Sequence, residues 1–121
     1  KLGRYEEASR EYEGLTKAQP TLGVAWSNLG IALAQAGRRD RAVEALARAV
    51  DLDPRNATAR RNLVAVLIDE GDLAAAVPHA EEAARLEPSN AASRFLLGVA
   101  LSGTAPARQA RWGMAAGIGE G

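Results

Sequence analysis

Asn28 and Asn62 stand 34 residues apart. An asparagine amide both donates and accepts, so two in register could hold a peptide main chain whatever side chains it carries. The remaining polar residues assemble into nothing reactive. His79 is the single histidine and cysteine is absent, so no two-histidine metal site, thiolate site or serine–histidine relay with a spare base can form. Asp51 and Asp53 sit together at an expected helix end, and Asp69, Glu70 and Asp72 flank an expected turn. Neither group has calcium-loop spacing. No phosphate-loop glycine pattern, zinc motif or nucleophile elbow is present. The expectation is a chain with no catalytic residue, no metal and no cofactor. Arg38, Arg39 and Arg41 form one basic cluster and Arg60 and Arg61 another, but Asp40, Glu44, Asp69 and Glu70 lie close by. They read as solvated, partly paired surface rather than a nucleic-acid site, which needs a net positive field. Trp26 reads as a packing residue.

The interval that relates the two asparagines is general. Pro20, Pro54 and Pro88 keep it, as do Gly3, Gly37 and Gly71, Ala8, Ala42 and Ala76, and Leu29, Leu63 and Leu97. A period held by several residue types at once is the signature of a stacked helical repeat. Within the unit 23–56, Ala25, Trp26, Leu29, Ile31, Ala32, Leu33 and Ala36 form a first helical stripe, closed by Gly37. Arg38 to Asp40 make a short turn, with Asp40 expected to cap the next helix. That helix carries Ala42, Val43, Leu46, Ala49, Val50 and Leu52 and stops before Pro54. Asn56 is expected to cap the helix after it. The unit 57–90 repeats the plan: Leu63, Val66 and Leu67, a turn at Gly71, then Ala76, Ala80, Ala83 and Leu86, a stop at Pro88 and a cap at Asn90. Pro78 is expected near the first turn of its helix, giving a slight bend and no break. Residues 1–20 read as the second half of a unit, with Tyr5, Ala8, Tyr12 and Leu15 as its stripe. Residues 91–121 read as a degenerate repeat: a sound first helix to Ser102, a short second one from about Ala107 to Ala116, and a frayed tail.

The composition agrees. Of the 121 residues, 47% are hydrophobic but only 4% aromatic; alanine supplies much of the apolar share, which suits closely approaching helices. Fifteen basic residues balance fifteen acidic ones, so no global field favours nucleic acid or an anionic membrane. No apolar run approaches the roughly 18 residues of a membrane span. The missing cysteines leave the compartment open, with the cytoplasm slightly favoured. The excess of arginine over lysine points to a GC-rich bacterial genome. The chain opens inside a repeat, without methionine, and reads as a piece of something longer.

Trp26-Ser27-Asn28-Leu29-Gly30, followed by Leu33, Gly37, Ala42, Leu46, Ala49 and Pro54, resembles the tetratricopeptide repeat, whose tryptophan, leucine-glycine, alanine and proline landmarks fall at these positions. The next unit matches at Asn62, Leu63, Leu67, Gly71, Ala76, Ala83 and Pro88 and departs at Arg60 and Val64. Gly30 and Gly98 would remove a side chain where paired helices cross. The resemblance implies an all-α, right-handed α-solenoid of antiparallel helix pairs whose first helices line a concave groove. Carried over position by position, the groove would present Ser27, Asn28, Ile31 and Gln35, then Arg61, Asn62, Ile68 and Asp69, then Phe95, Leu96 and Val99. It implies a non-catalytic scaffold binding a protein or peptide, without nucleic acid or membrane insertion. A clamp for a C-terminal carboxylate is not expected, because Ser27, Ile31, Ala92 and Leu96 stand where its polar groups would be needed. The alternatives are self-association through exposed terminal helices, or service as the targeting arm of a larger protein.

Overall fold

The computed structural model describes residues 2–103. Among the described residues there are six α-helices: α1 (Leu2–Ala18), α2 (Gly23–Gln35), α3 (Arg39–Leu52), α4 (Ala57–Asp69), α5 (Leu73–Leu86) and α6 (Ala91–Ser102). They fall into two compact units, one running to Pro54 and one starting at Arg55. The expected second helix at 107–116 and the tail lie outside the described residues.

In the first unit α2 packs against both α1 and α3. Gly37, with φ of 86°, turns the chain between α2 and α3. The Arg38 N–H donates to the Leu33 carbonyl at 2.8 Å and the Gly37 N–H to that of Ala34 at 3.0 Å. This paired closure satisfies two carbonyls that a helix end otherwise leaves open. α3 begins at Arg39, so Asp40 lies inside its first turn and makes no capping bond, contrary to the sequence expectation. Its charge there still favours the positive end of the helix dipole. The core is made of Ala25, Leu29, Leu33, Ala42, Leu46 and Ala49, all buried. Gly30 is required at its place: a Cβ there would collide with Leu46 Cγ and lie 2.9 Å from Cδ2. Ser9 and Thr16 are also buried, a feature the apolar stripe of α1 does not reveal. Each hydroxyl donates to the carbonyl three residues back, Glu6 and Glu13 respectively, which removes the cost of burying it.

The second unit packs α4 against α5 and α6, and α5 against α6. The same paired closure recurs at Gly71, where the Asp72 N–H donates to Leu67 and the Gly71 N–H to Ile68. Asn56 and Asn90 cap α4 and α6 as expected, each accepting at 3.0 Å from the N–H three residues on. Asp72 caps α5 through the Ala75 N–H at 3.2 Å. Asn56→Ala removes one such bond from the start of α4 and is expected to cost about 1 kcal/mol, measured as a shift of the urea midpoint at constant slope. α3 and α5 stop at Leu52 and Leu86, each two residues before its proline. Pro78 occupies the sixth position of α5, beyond the first turn, and the helix runs through it. The carbonyl of Ala74 loses its helical partner there, and Ala74 is an exposed residue.

Gly30 and Gly98 do not behave alike. Among the described residues nothing lies within 4 Å of a Cβ built on Gly98. The expected crossing partner of Gly98 belongs to residues beyond those described.

Candidate interaction surface

Helical geometry sorts each first helix into two sides. On α2, Trp26, Leu29 and Leu33 lie on one side and Asn28, Ile31 and Gln35 on the opposite one. The sequence-derived set divides by exposure. Asn28, Ile31, Gln35, Asp69 and Phe95 are half-buried and reachable. Ser27, Arg61, Asn62, Ile68, Leu96 and Val99 are buried. α4 is covered along most of its length, with only Thr58 exposed among its first twelve residues and Arg60 half-buried.

Arg61 is held in a polar cluster inside the second unit. Its side chain is 7% exposed, against 44% for that of Glu87. Nη1 donates to Glu87 Oε1 at 2.5 Å and to Ser93 Oγ at 3.4 Å, and Nη2 donates to Thr58 Oγ1 at 3.1 Å. One guanidinium therefore ties α4 to the C-terminus of α5 and to α6, a use suited to its planar fork of donors. Asp69 and Glu70, its acidic neighbours in sequence, are not its partners in these bonds. Arg60 instead meets His79 Nδ1 at 3.1 Å.

The other basic cluster is paired across the first unit. Arg38 binds both carboxylate oxygens of Glu6, with Nη2 to Oε2 at 2.8 Å, and Arg41 pairs with Glu13. These acids come from α1, not from Asp40 or Glu44 as sequence proximity suggested. Exposed pairs of this kind contribute little stability individually, about 0–1 kcal/mol, and they link α1 to the start of α3. On α5, Arg85 donates to Glu82 at 2.9 Å. That bond holds the Glu82 carboxyl below its ordinary value and the Arg85 guanidinium above its own.

Trp26, read from sequence as a packing residue, is half-buried. Its indole N–H donates to the Pro20 carbonyl at 2.8 Å, and the Arg48 guanidinium stands 5.9 Å from the ring centroid. Beside it opens a cleft of about 260 Å³ whose floor is Trp26, Leu29, Leu33 and Ala45 and whose rim includes Glu13, Lys17, Arg41 and Glu44. It lies on the side of α2 opposite Asn28 and Ile31. Sequence reasoning missed it because its walls come from three helices, and no one of them carries a recognisable motif.

Asn62 stands apart chemically. It is 0% exposed, and neither its Oδ1 nor its Nδ2 has a hydrogen-bond partner. Most buried polar groups are paired, so an amide with both ends unmet marks a position that packing alone would fill with an apolar residue.

Among the described residues no group of three or more acidic or histidine side chains is placed to hold a metal ion. No described helix is long and apolar enough to cross a membrane.

The repeated hairpins, the glycine turns at Gly37 and Gly71 and the proline stops define a helical-repeat protein. The tetratricopeptide repeat family model matches residues 1–57, 27–83 and 62–104, and the chain belongs to that family. Small glutamine-rich tetratricopeptide repeat-containing protein 2 of Mycosarcoma maydis is 36% identical over 64 residues, covering 53% of this chain and 18% of that protein. Among solved structures, a mutant O-GlcNAc transferase of Thermobaculum terrenum superposes with a TM-score of 0.75 at 27% identity, over 93% of this chain and 22% of the transferase. The MamA RS-1 ArsTM double mutant superposes with a TM-score of 0.78 at 26% identity, over 97% of this chain and 67% of that one. The chain thus spans about a fifth of the curated relative and of the transferase. The fold class is an all-α solenoid of helix hairpins. Repeats of this family are protein-interaction modules and are in general not catalytic.

Proposed function

We propose that this chain is a non-catalytic scaffold that binds a peptide or partner helix through reachable faces of its first helices, marked by Asn28, Ile31 and Gln35 on α2 in one unit and by Asp69 on α4 and Phe95 on α6 in the other. The observation that supports the reading is the reachable row of Asn28, Ile31 and Gln35 on one side of α2, away from the side that packs against α1 and α3. The 34-residue counterpart of Asn28, Asn62, is fully buried and does not reach a ligand. A peptide main chain offers the alternating N–H and C=O groups that the Asn28 amide complements. Ile31 and Phe95 add apolar contact, and neither carries charge that would favour an acidic tail.

The test is a random peptide array probed with the purified chain, followed by affinities for the peptides selected. Apolar or mixed segments are expected to dominate. Asn28→Ala is expected to weaken those peptides by about fivefold, one hydrogen bond at roughly 1 kcal/mol. An array that returned only acidic C-termini, or an Asn28→Ala variant that bound as well as the parent, would discard the proposal.

A further inference from the structure

In the first unit two walls rise over α2. α1 supplies Glu13, Thr16 and Lys17 to one of them, and α3 supplies Arg41, Glu44 and Ala45 to the other. Each set is spaced i, i+3, i+4 and so lines one face of its helix. The Glu13–Arg41 ion pair straps the walls together at one place. One turn further along each helix the strap is missing. Lys17 and Glu44 are both exposed there, and neither side chain takes part in a hydrogen bond or ion pair among the described residues. The floor between the walls is already set, because the Trp26 indole is tied to the Pro20 carbonyl and carries the Arg48 guanidinium over its ring. Nor is the cleft a by-product of the repeat. The 34-residue period carries Trp26 and Ala45 to Arg60 and His79, where Arg60 Nη1 lies 3.1 Å from His79 Nδ1. A polar contact occupies in the second unit the place that an indole and a methyl group leave open in the first.

We propose that this cleft binds a small zwitterion with one large apolar group, the chemistry of a free aliphatic or aromatic amino acid. Size, floor and rim all favour that occupant. The volume of about 260 Å³ lies just below the roughly 300–1,000 Å³ of sites that hold drug-sized ligands, so the occupant is about one residue in size. The floor of Trp26, Leu29 and Leu33 is apolar and is covered best by an apolar side chain. At the mouth, Lys17 on one wall can meet a carboxylate and Glu44 on the other an ammonium group. The four charged side chains of the rim cancel, so an anion or a cation alone meets one partner and faces a repelling one. An uncharged apolar molecule leaves both Lys17 and Glu44 unmet. The cleft lies on the side of α2 opposite Asn28 and Ile31 and is therefore separate from the peptide-binding face.

The test uses the full chain carrying Trp112→Phe, which leaves Trp26 as the sole tryptophan. Titration with L-leucine should change the Trp26 emission saturably, with a midpoint of about 1 mM, as expected where the charged contacts are exposed. Saturation-transfer NMR should show the leucine methyl groups in contact with the protein. Glycine has the two charges without the side chain. N-acetyl-L-leucinamide has the side chain without the charges and stands for a leucine inside a partner chain. Both should bind at least about tenfold more weakly than leucine. Lys17→Gln and Glu44→Gln alter exposed side chains and should each weaken leucine about threefold. Asn28→Ala, on the other side of α2, should leave leucine binding as it is in the parent. Glycine binding as well as leucine reduces the site to surface charge pairing, and the amide doing so gives the cleft to a partner's side chain; either result overturns the proposal. So does unchanged affinity in both the Lys17 and Glu44 variants, or leucine that alters neither the emission nor the transfer signal.

Discussion

Leu46→Ala is expected to lower the stability of the chain by about 2–5 kcal/mol, the range for truncating a fully buried leucine in a core that cannot collapse around the loss. Leu46 is completely buried and fills the space that Gly30 leaves open on α2. The same contact makes Gly30 intolerant of substitution. Alanine favours a helix over glycine by about 1 kcal/mol, yet the added Cβ would collide with Leu46, and overpacking costs about 1–3 kcal/mol. Gly30→Ala alone is therefore expected to destabilise. In the Leu46→Ala background the clash is absent, and Gly30→Ala should become neutral or stabilising. The sign reversal, read from urea unfolding of the two single variants and the double, measures the contact itself. If Gly30→Ala costs the same in both backgrounds, the two residues do not meet as described.

Asn62→Leu is expected to do the opposite and raise stability. A buried donor or acceptor without a partner costs about 1–3 kcal/mol, and Asn62 has both ends unmet. Leucine is close in size and brings no polar atom. A gain of 1 kcal/mol moves the melting temperature by about 4–8 °C in a domain of 60–100 residues, so calorimetry will resolve the effect. Lower stability in this variant would show that the amide is bonded in solution. Peptide affinity should be unchanged, since the sealed amide does not reach the surface.

Reading the sequence gave the architecture because its determinants are local. A glycine that takes positive φ at Gly37 and Gly71, a proline that ends α3 or α5 within two residues, and an asparagine that caps α4 or α6 each act over one turn of chain. Their common period then announces the repeat. The misplaced cap at Asp40 is a two-residue error at a helix start: α3 begins at Arg39, 34 residues before the start of α5 at Leu73, so the capping position falls at Arg38, where α5 has Asp72.

The surface was only half legible. The family resemblance assigned Asn28, Ile31, Gln35, Asp69 and Phe95 to the groove, and these five are reachable. Period and helical geometry could not reveal that Arg61 turns inward to Glu87 and Ser93, or that Asn62 is sealed with its amide unpaired. Nor could they show that Gly30 is filled by Leu46 while Gly98 faces open space among the described residues. The difference is physical. Helix ends and periodicity depend on backbone sterics within a few residues, whereas burial and pairing depend on which side chains from distant helices reach the same point. In this chain the local chemistry set where each helix begins and ends, and tertiary packing decided which of its polar groups remain available to a partner.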